Sequence, residues 1–319
     1  MRQTADRALE RPLERARERA GRARRPGRPR TWGRAPPVAY ARGMADGLRC
    51  EVLGPLRVLR TGGGTDPGPE AGPEIGPEIG LGAPRQRAVL AVLLLQEGRP
   101  MTYDALVDAV WGTAPPGQVR NLVQKYVSGL RRVLTAASGA GAAPVLSWTG
   151  SGYRLTGLAP DDLHERRALL HRALAAQHAG ELRAAAELAA RAESMWRGEF
   201  AEGLAGPYLA AERRRWAEKR LMVLERRLEG ELELGRYHEC VHELVRQVAA
   251  HPLRERMVEL LMLALYRSGQ PAGALRAYQD ARRRCAEELG CDPGPALRAL
   301  HQRILRQDPS LLPAAAPAV

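Results

Sequence analysis

Residues 117–134, GQVRNLVQKYVSGLRRVL, admit one regular structure. At 100° per residue, Val119, Leu122, Val123, Tyr126, Val127, Leu130, Val133 and Leu134 fall into one apolar stripe, which predicts an amphipathic helix. The opposite face holds Arg120, Asn121, Gln124, Lys125, Ser128, Arg131 and Arg132, and no acid. Surface helices ordinarily mix both signs, because acid–base pairs add stability and solubility. A face of cations, amides and a hydroxyl suits a duplex: Arg and Lys neutralise phosphates, and Arg, Asn and Gln bond bidentately to base edges. The plain alternative is a solvated basic face on an ordinary packed helix. The flanking segments bear on the choice.

Upstream, 48–53 and 56–60 read as short strands around the turn signal Gly54–Pro55. The Gly-, Pro- and Glu-rich segment 61–80, with PEIG repeated, reads as a loop. A helix is expected over 84–96, opened by Pro84 and ended by Gly98. Thr102 is a good N-cap for a short helix carrying Leu106, Val107, Val110 and Trp111. Gly112 and Pro115–Pro116 stop that helix and start the basic one, the order found in helix-turn-helix DNA readers. Downstream, 145–148 and 153–156 flank Gly150-Ser151-Gly152 and predict a β-hairpin, a wing beside the basic helix.

The chain has 319 residues, which suggests two domains, and its apolar fraction of 45% suffices for packed cores. A single Phe leaves Leu, Ala and Val to build them, which favours helices. Lys occurs only at 125 and 219, so the basic charge is nearly all Arg. Of the net +13, most lies in residues 1–43, where thirteen Arg face four acids. That segment reads as disordered. Two readings of it stay open: a basic arm touching nucleic acid without sequence preference, or a stretch upstream of the true start at Met44. The four cysteines form no C-x-x-C pair and read as reduced cytosolic thiols. No apolar run is long enough to span a bilayer, and no signal peptide is visible.

Past Asp161 the pattern is helical to the end. Gly180 precedes Ala185, Ala189 and Ala192; Gly235 precedes Cys240 and Leu244; Gly269 precedes Ala274, Tyr278 and Ala281. Gly235 and Gly269 lie 34 residues apart, the tetratricopeptide period. Each glycine would turn the chain between two helices, and the small residue would let them approach. The expected fold is therefore mainly α with a small β component: an N-terminal winged helix-turn-helix followed by a tetratricopeptide-like all-α domain.

The segments LGPLRV (53–58), LGAPRQRAVLAVLLL (81–95), WGTAPPGQVRNLVQKYVSGLRRVL (111–134) and GYRL (152–155) resemble one family. So do ALYRSGQPAGALRAYQ (264–279), EELGCDPGPALRALHQRIL (287–305) and RQDP (306–309). That family is the Streptomyces antibiotic regulatory protein (SARP) type of activator, an OmpR-type winged helix joined to a bacterial transcriptional activator domain. The resemblance implies an extension over 1–47, a winged helix over 48–157, an activator domain over 161–309 and a tail over 310–319. It implies a transcriptional activator of an antibiotic or other secondary-metabolite gene cluster that binds double-stranded promoter DNA at direct repeats, pairs as a homodimer there and contacts RNA polymerase. Recognition falls to 118–134 and the wing to 148–154, with Trp148, Thr149 and Arg154 as candidate contacts. Arg85 and Arg87 open the first helix and are candidates for phosphates, while Tyr153 reads as a packing residue. Where members carry a long side chain this chain has Gly129, and Trp148–Thr149 stands where a wing Arg is usual. Those departures motivate an alternative, a protein-interaction scaffold whose DNA-binding domain has degenerated. The entry to the second domain is reduced to Asp162-Leu163-His164.

Other chemistry finds little support. His238-Glu239-Cys240-Val241-His242 fits H-E-x-x-H, but Cys240 is needed as the repeat's buried small residue and no third zinc ligand follows. His164, His171 and His178 read as a solvated stripe. Gly62-Gly63-Gly64 lacks the Gly-Lys-Ser/Thr of a nucleotide loop. No enzyme activity, cofactor or metal is expected, and no membrane partner.

Overall fold

The computed structural model describes residues 47–61, 75–138 and 145–312. The expectations for 1–46 and 313–319 lie outside the described residues. Strands β1 (Leu48–Glu51) and β2 (Arg57–Thr61) pair antiparallel, with Leu48 opposite Arg60 and Glu51 opposite Arg57. The stretch expected as a loop instead contributes β3 (Ile75–Glu78), which pairs antiparallel with β2 across a register shift. Pro77 hid it, because a central strand excludes proline; β3 is an edge, where the missing N–H costs no ladder bond. Residues 62–74, the rest of that expected loop, lie outside the described residues.

Helix α1 (Pro84–Leu94) ends two residues earlier than the sequence suggests, and Glu97 and Gly98 leave it with φ of 49° and 78°. After β4 (Met101–Thr102), helix α2 (Tyr103–Trp111) starts on Thr102, whose Oγ1 accepts from Ala105 N at 3.3 Å. Helix α3 (Val119–Ala137) follows, then β5 (Val145–Trp148) and β6 (Gly152–Thr156). Strand β6 lies between β4 and β5, so the wing is stitched to the residues that open α2. Gly152 makes this possible: a Cβ there would overlap the Met101 carbonyl oxygen and Thr102 Cα.

The described residues that follow are mainly helical: α4 (Asp161–His178), α5 (Leu182–Ser194), α6 (Pro207–Glu233), α7 (Tyr237–Ala250), α8 (Glu255–Arg267), α9 (Pro271–Leu289) and α10 (Pro295–Leu305). Gly180, Gly235 and Gly269 end α4, α6 and α8 with φ of 79°, 81° and 77°. At each, the next residue's N–H reaches back to a carbonyl five residues earlier: Glu181 to Ala176, Arg236 to Glu231, Gln270 to Leu265. These are three copies of one left-handed helix stop. Cys240, Leu244, Ala274, Tyr278, Ala281, Ala189 and Ala192 are buried as the repeat spacing requires. Ala185 is the exception, half-buried while Ala186 is buried beside it. Mainly helical architecture, a winged helix and a tetratricopeptide-like domain are thus all present.

Packing does not divide where the motifs do. One core joins β1, β2, α1–α3 and β6 to Phe200, Leu204, Leu209 and Trp216. A second runs from Leu224 through Leu311. The change-over lies inside α6. The junction is sewn by backbone: Arg197 N donates to Leu53 O at 2.8 Å, Ala201 N to Val52 O at 3.0 Å and Glu202 N to Gly54 O at 3.1 Å. The shortened entry motif contributes directly. Asp161 Oδ2 accepts from Cys50 N at 2.7 Å, and Asp162 Oδ2 accepts from Val52 N at 2.8 Å and Leu53 N at 2.7 Å. Asp162 is 3% exposed and its Oδ1 has no partner. Burial raises its pKa to about 6, against the pull of the two N–H donors. Arg166, fully buried nearby, meets Glu193 at 3.0 Å and lies 5.4 Å from the Trp196 ring. Periodicity gave no warning of either buried charge.

His238 and His242 are exposed on α7, and the Cys240 between them is buried. The histidine stripe on α4 is not uniformly solvated: His164 Nε2 lies 3.8 Å from Glu97 Oε1, while His171 and His178 are exposed. Cys50, Cys240, Cys285 and Cys291 are all free thiols. Among the described residues no helix is long and apolar enough to cross a membrane.

Candidate nucleic-acid interface

Helix α3 is seated by Val123, Val127, Leu130, Leu134 and Ala137, all buried, with Tyr126 stacked on Trp111 at 6.5 Å. The apolar stripe therefore faces the core, and the acid-free face is turned out. No side chain caps its N-terminus and no acid lies in its first turn, so the positive end of the helix dipole is open to an anion. Asn121, Gln124, Lys125, Ser128 and Arg132, with Arg154 of the wing, are exposed. Among the described residues none of their side chains makes a hydrogen bond or ion pair.

Between α3 and the wing runs an open groove of about 520 Å³ lined by Tyr103, Arg120, Gln124, Ser128, Arg131 and Trp148, among others, with no acid. The Arg120 guanidinium lies 5.4 Å from the centre of the Tyr103 ring, which restricts where it points. Tyr103 escaped the sequence reading because, as the first residue of α2, it lies beside α3 only in the folded chain. Trp148 is 52% exposed and packs edge-on against Tyr153 at 5.0 Å. Tyr153 is buried, as a packing residue should be.

Three of the expected contact residues also bond within the protein. Arg131 Nε donates to Leu146 O at 2.6 Å and so ties α3 to β5. Thr149 donates its N–H at 2.9 Å and its hydroxyl at 3.3 Å to Gly152 O, closing the hairpin around Gly150, whose φ is 86°. Arg85 Nη1 donates to Val110 O at 2.8 Å and Ala205 O at 3.4 Å, satisfying the end of α2 and bracing the junction. Arg87 is half-buried, with its Nε covered and unpartnered. Gly129 lies against α1: a Cβ there would come within 3.0 Å of the Gln86 amide, which itself donates to Leu81 O. A long side chain at 129 would displace that contact, so the glycine serves helix packing, and the exposed face keeps its cations.

Residues 78–155 match the family described as transcriptional regulatory protein, C terminal, and residues 162–305 match the bacterial transcriptional activator domain. The regulatory protein AfsR of Streptomyces coelicolor is 46% identical over 83% of this chain and 25% of its own length. The chain thus spans about a quarter of that relative. The regulatory protein DnrI of Streptomyces peucetius is 35% identical over 72% of this chain and 86% of its own length. A solved structure of Mycobacterium tuberculosis EmbR, in complex with a low-affinity phosphopeptide, is similar with a TM-score of 0.69 at 32% identity, over 82% of this chain and 65% of that one. With a winged helix that carries an outward acid-free helix, followed by a tetratricopeptide-like activator domain, the chain belongs to the SARP family of DNA-binding transcriptional regulators.

Proposed function

We propose that the protein is a sequence-specific activator of a secondary-metabolite gene cluster, binding direct repeats near a promoter as a pair of chains and recruiting RNA polymerase. The observation that carries this reading is the outer face of α3: exposed amides and cations, no acid, and a groove opening toward the wing. Helix α3 would enter the major groove, with Arg120, Gln124 and Ser128 toward base edges and Asn121, Lys125 and Arg132 toward the flanking phosphates. Arg154 and Trp148 would meet the adjacent backbone. Pairing on neighbouring repeats multiplies affinity by effective concentration, with no new contact to DNA required.

Footprinting over the promoters beside the protein's own gene tests this reading. Two protected segments in the same orientation, lost together in Arg120→Ala, are expected. Protection of a single segment, or none, sinks the paired-repeat reading. Transcription reconstituted with polymerase on the same template should rise only when both segments are intact.

A further inference from the structure

A cavity of about 280 Å³ opens between α4, α5 and α6, away from the DNA-facing groove. Its walls are apolar, with Leu170, Ala185, Ala189 and Val223 among them, and His171 and Arg226 stand at its polar side. The walls include no acid. Arg226 is exposed and makes no ion pair among the described residues, whereas its neighbour Arg227 is held by Glu231 at 2.7 Å and Glu243 at 2.6 Å. The internal repeat explains the space. Nine residues after the turn glycine, the second and third hairpins bury Leu244 and Tyr278, and the first has only Ala189. The hollow is open to solvent, and Leu174 on its wall is left 41% exposed.

We propose that this cavity binds a small amphipathic carboxylate, its apolar body in the space that Ala189 leaves and its charge against Arg226. The volume suits the lower end of small-molecule sites, and is far from the area a folded partner would need to cover. The anion follows from the wall: two arginines and a histidine, one arginine already neutralised, and no carboxylate to oppose the ligand. The site lies beside α6, the helix shared by both cores, so its occupancy would be felt where the two halves of the molecule join.

The test uses the full chain. The fluorescent sulfonate 8-anilinonaphthalene-1-sulfonate is bound first, then competed with decanoate, decanol and decylamine. Decanoate should displace it at least tenfold more tightly than either neutral or cationic chain. Arg226→Gln, an exposed substitution, should reduce decanoate to the level of decanol. Ala189→Leu, which restores the side chain of the second repeat, should weaken the sulfonate and decanoate at least tenfold with the helical circular dichroism unchanged. Displacement by decylamine as strong as by decanoate, or a sulfonate response indifferent to Arg226→Gln, overturns the proposal. So does displacement by a leucine- and glutamate-rich peptide where decanoate fails, which would assign the cavity to a protein partner.

Discussion

Arg120 and Lys125 are both exposed cations on one helix, yet their surroundings differ. Arg120 lies over Tyr103 at the wall of the groove, so its fork is held in a limited range of directions. Lys125 has no such support. Arg120→Ala should therefore cost about 1–3 kcal/mol on a cognate duplex and little on a scrambled one. Lys125→Ala should weaken both duplexes alike and lower the salt slope by about one phosphate. Isotherms on the two duplexes at two salt concentrations check both expectations, and equal losses for the two variants would refute the division of roles. Asp162 gives the clearest pH dependence. Its native pKa of about 6 is above the ordinary aspartate value, so its contribution to stability is full below about pH 4 and is lost as pH rises through 6. Between pH 4.5 and 7.5 the wild type should lose about 2 kcal/mol relative to Asp162→Asn, measured as the difference in urea midpoints. No change in that difference across the range would exclude titration of this carboxyl.

At the scale of elements, the wing is aimed by two small features. One is the Arg131 bond to the β5 carbonyl at 2.6 Å, and the other is the absence of a side chain at Gly152, which lets β4 and β6 meet. Gly152→Ala must prise those strands apart and should lower stability by about 1–3 kcal/mol, the usual range for an overpacked site. A thermal melt reads the loss. An unchanged melting temperature would mean that β4 shifts freely. Sequence reasoning found both hairpin strands and all three helices of the winged helix, because their periods and turn residues are local. It missed β3, whose proline and glycines carry loop chemistry and whose pairing depends on an edge that exists only once β2 is placed.

At the scale of the molecule, the winged helix does not close its core alone. Phe200, Leu204, Leu209 and Trp216 finish it, and Phe200 stacks on Trp216 at 5.5 Å. A fragment ending at Gly157 should melt early and with poor cooperativity, whereas one ending near Lys219 should melt as a unit. Calorimetry on the two fragments distinguishes the cases, and a cooperative, stable shorter fragment would deny the shared core. Trp216→Ala in the full chain should cost about 3–5 kcal/mol and weaken DNA binding from a distance, through the helices it supports. The place of Arg85 also depends on the whole fold. As an arginine opening α1 it read as a phosphate contact, and it is the fold that brings the carbonyls of Val110 and Ala205 within its reach.

Local sequence is enough to specify the helices, the hairpin, the repeat turns and the outward face of α3. Each of these rests on residues a few positions apart, where period, proline and glycine act directly. Folding alone settles which charges stay unpaired and where one core gives way to the next. Those outcomes turn on contacts between residues far apart in the chain, such as Asp162 with Val52 or Gly129 with Gln86, and on the burial that sets the cost of a charge there.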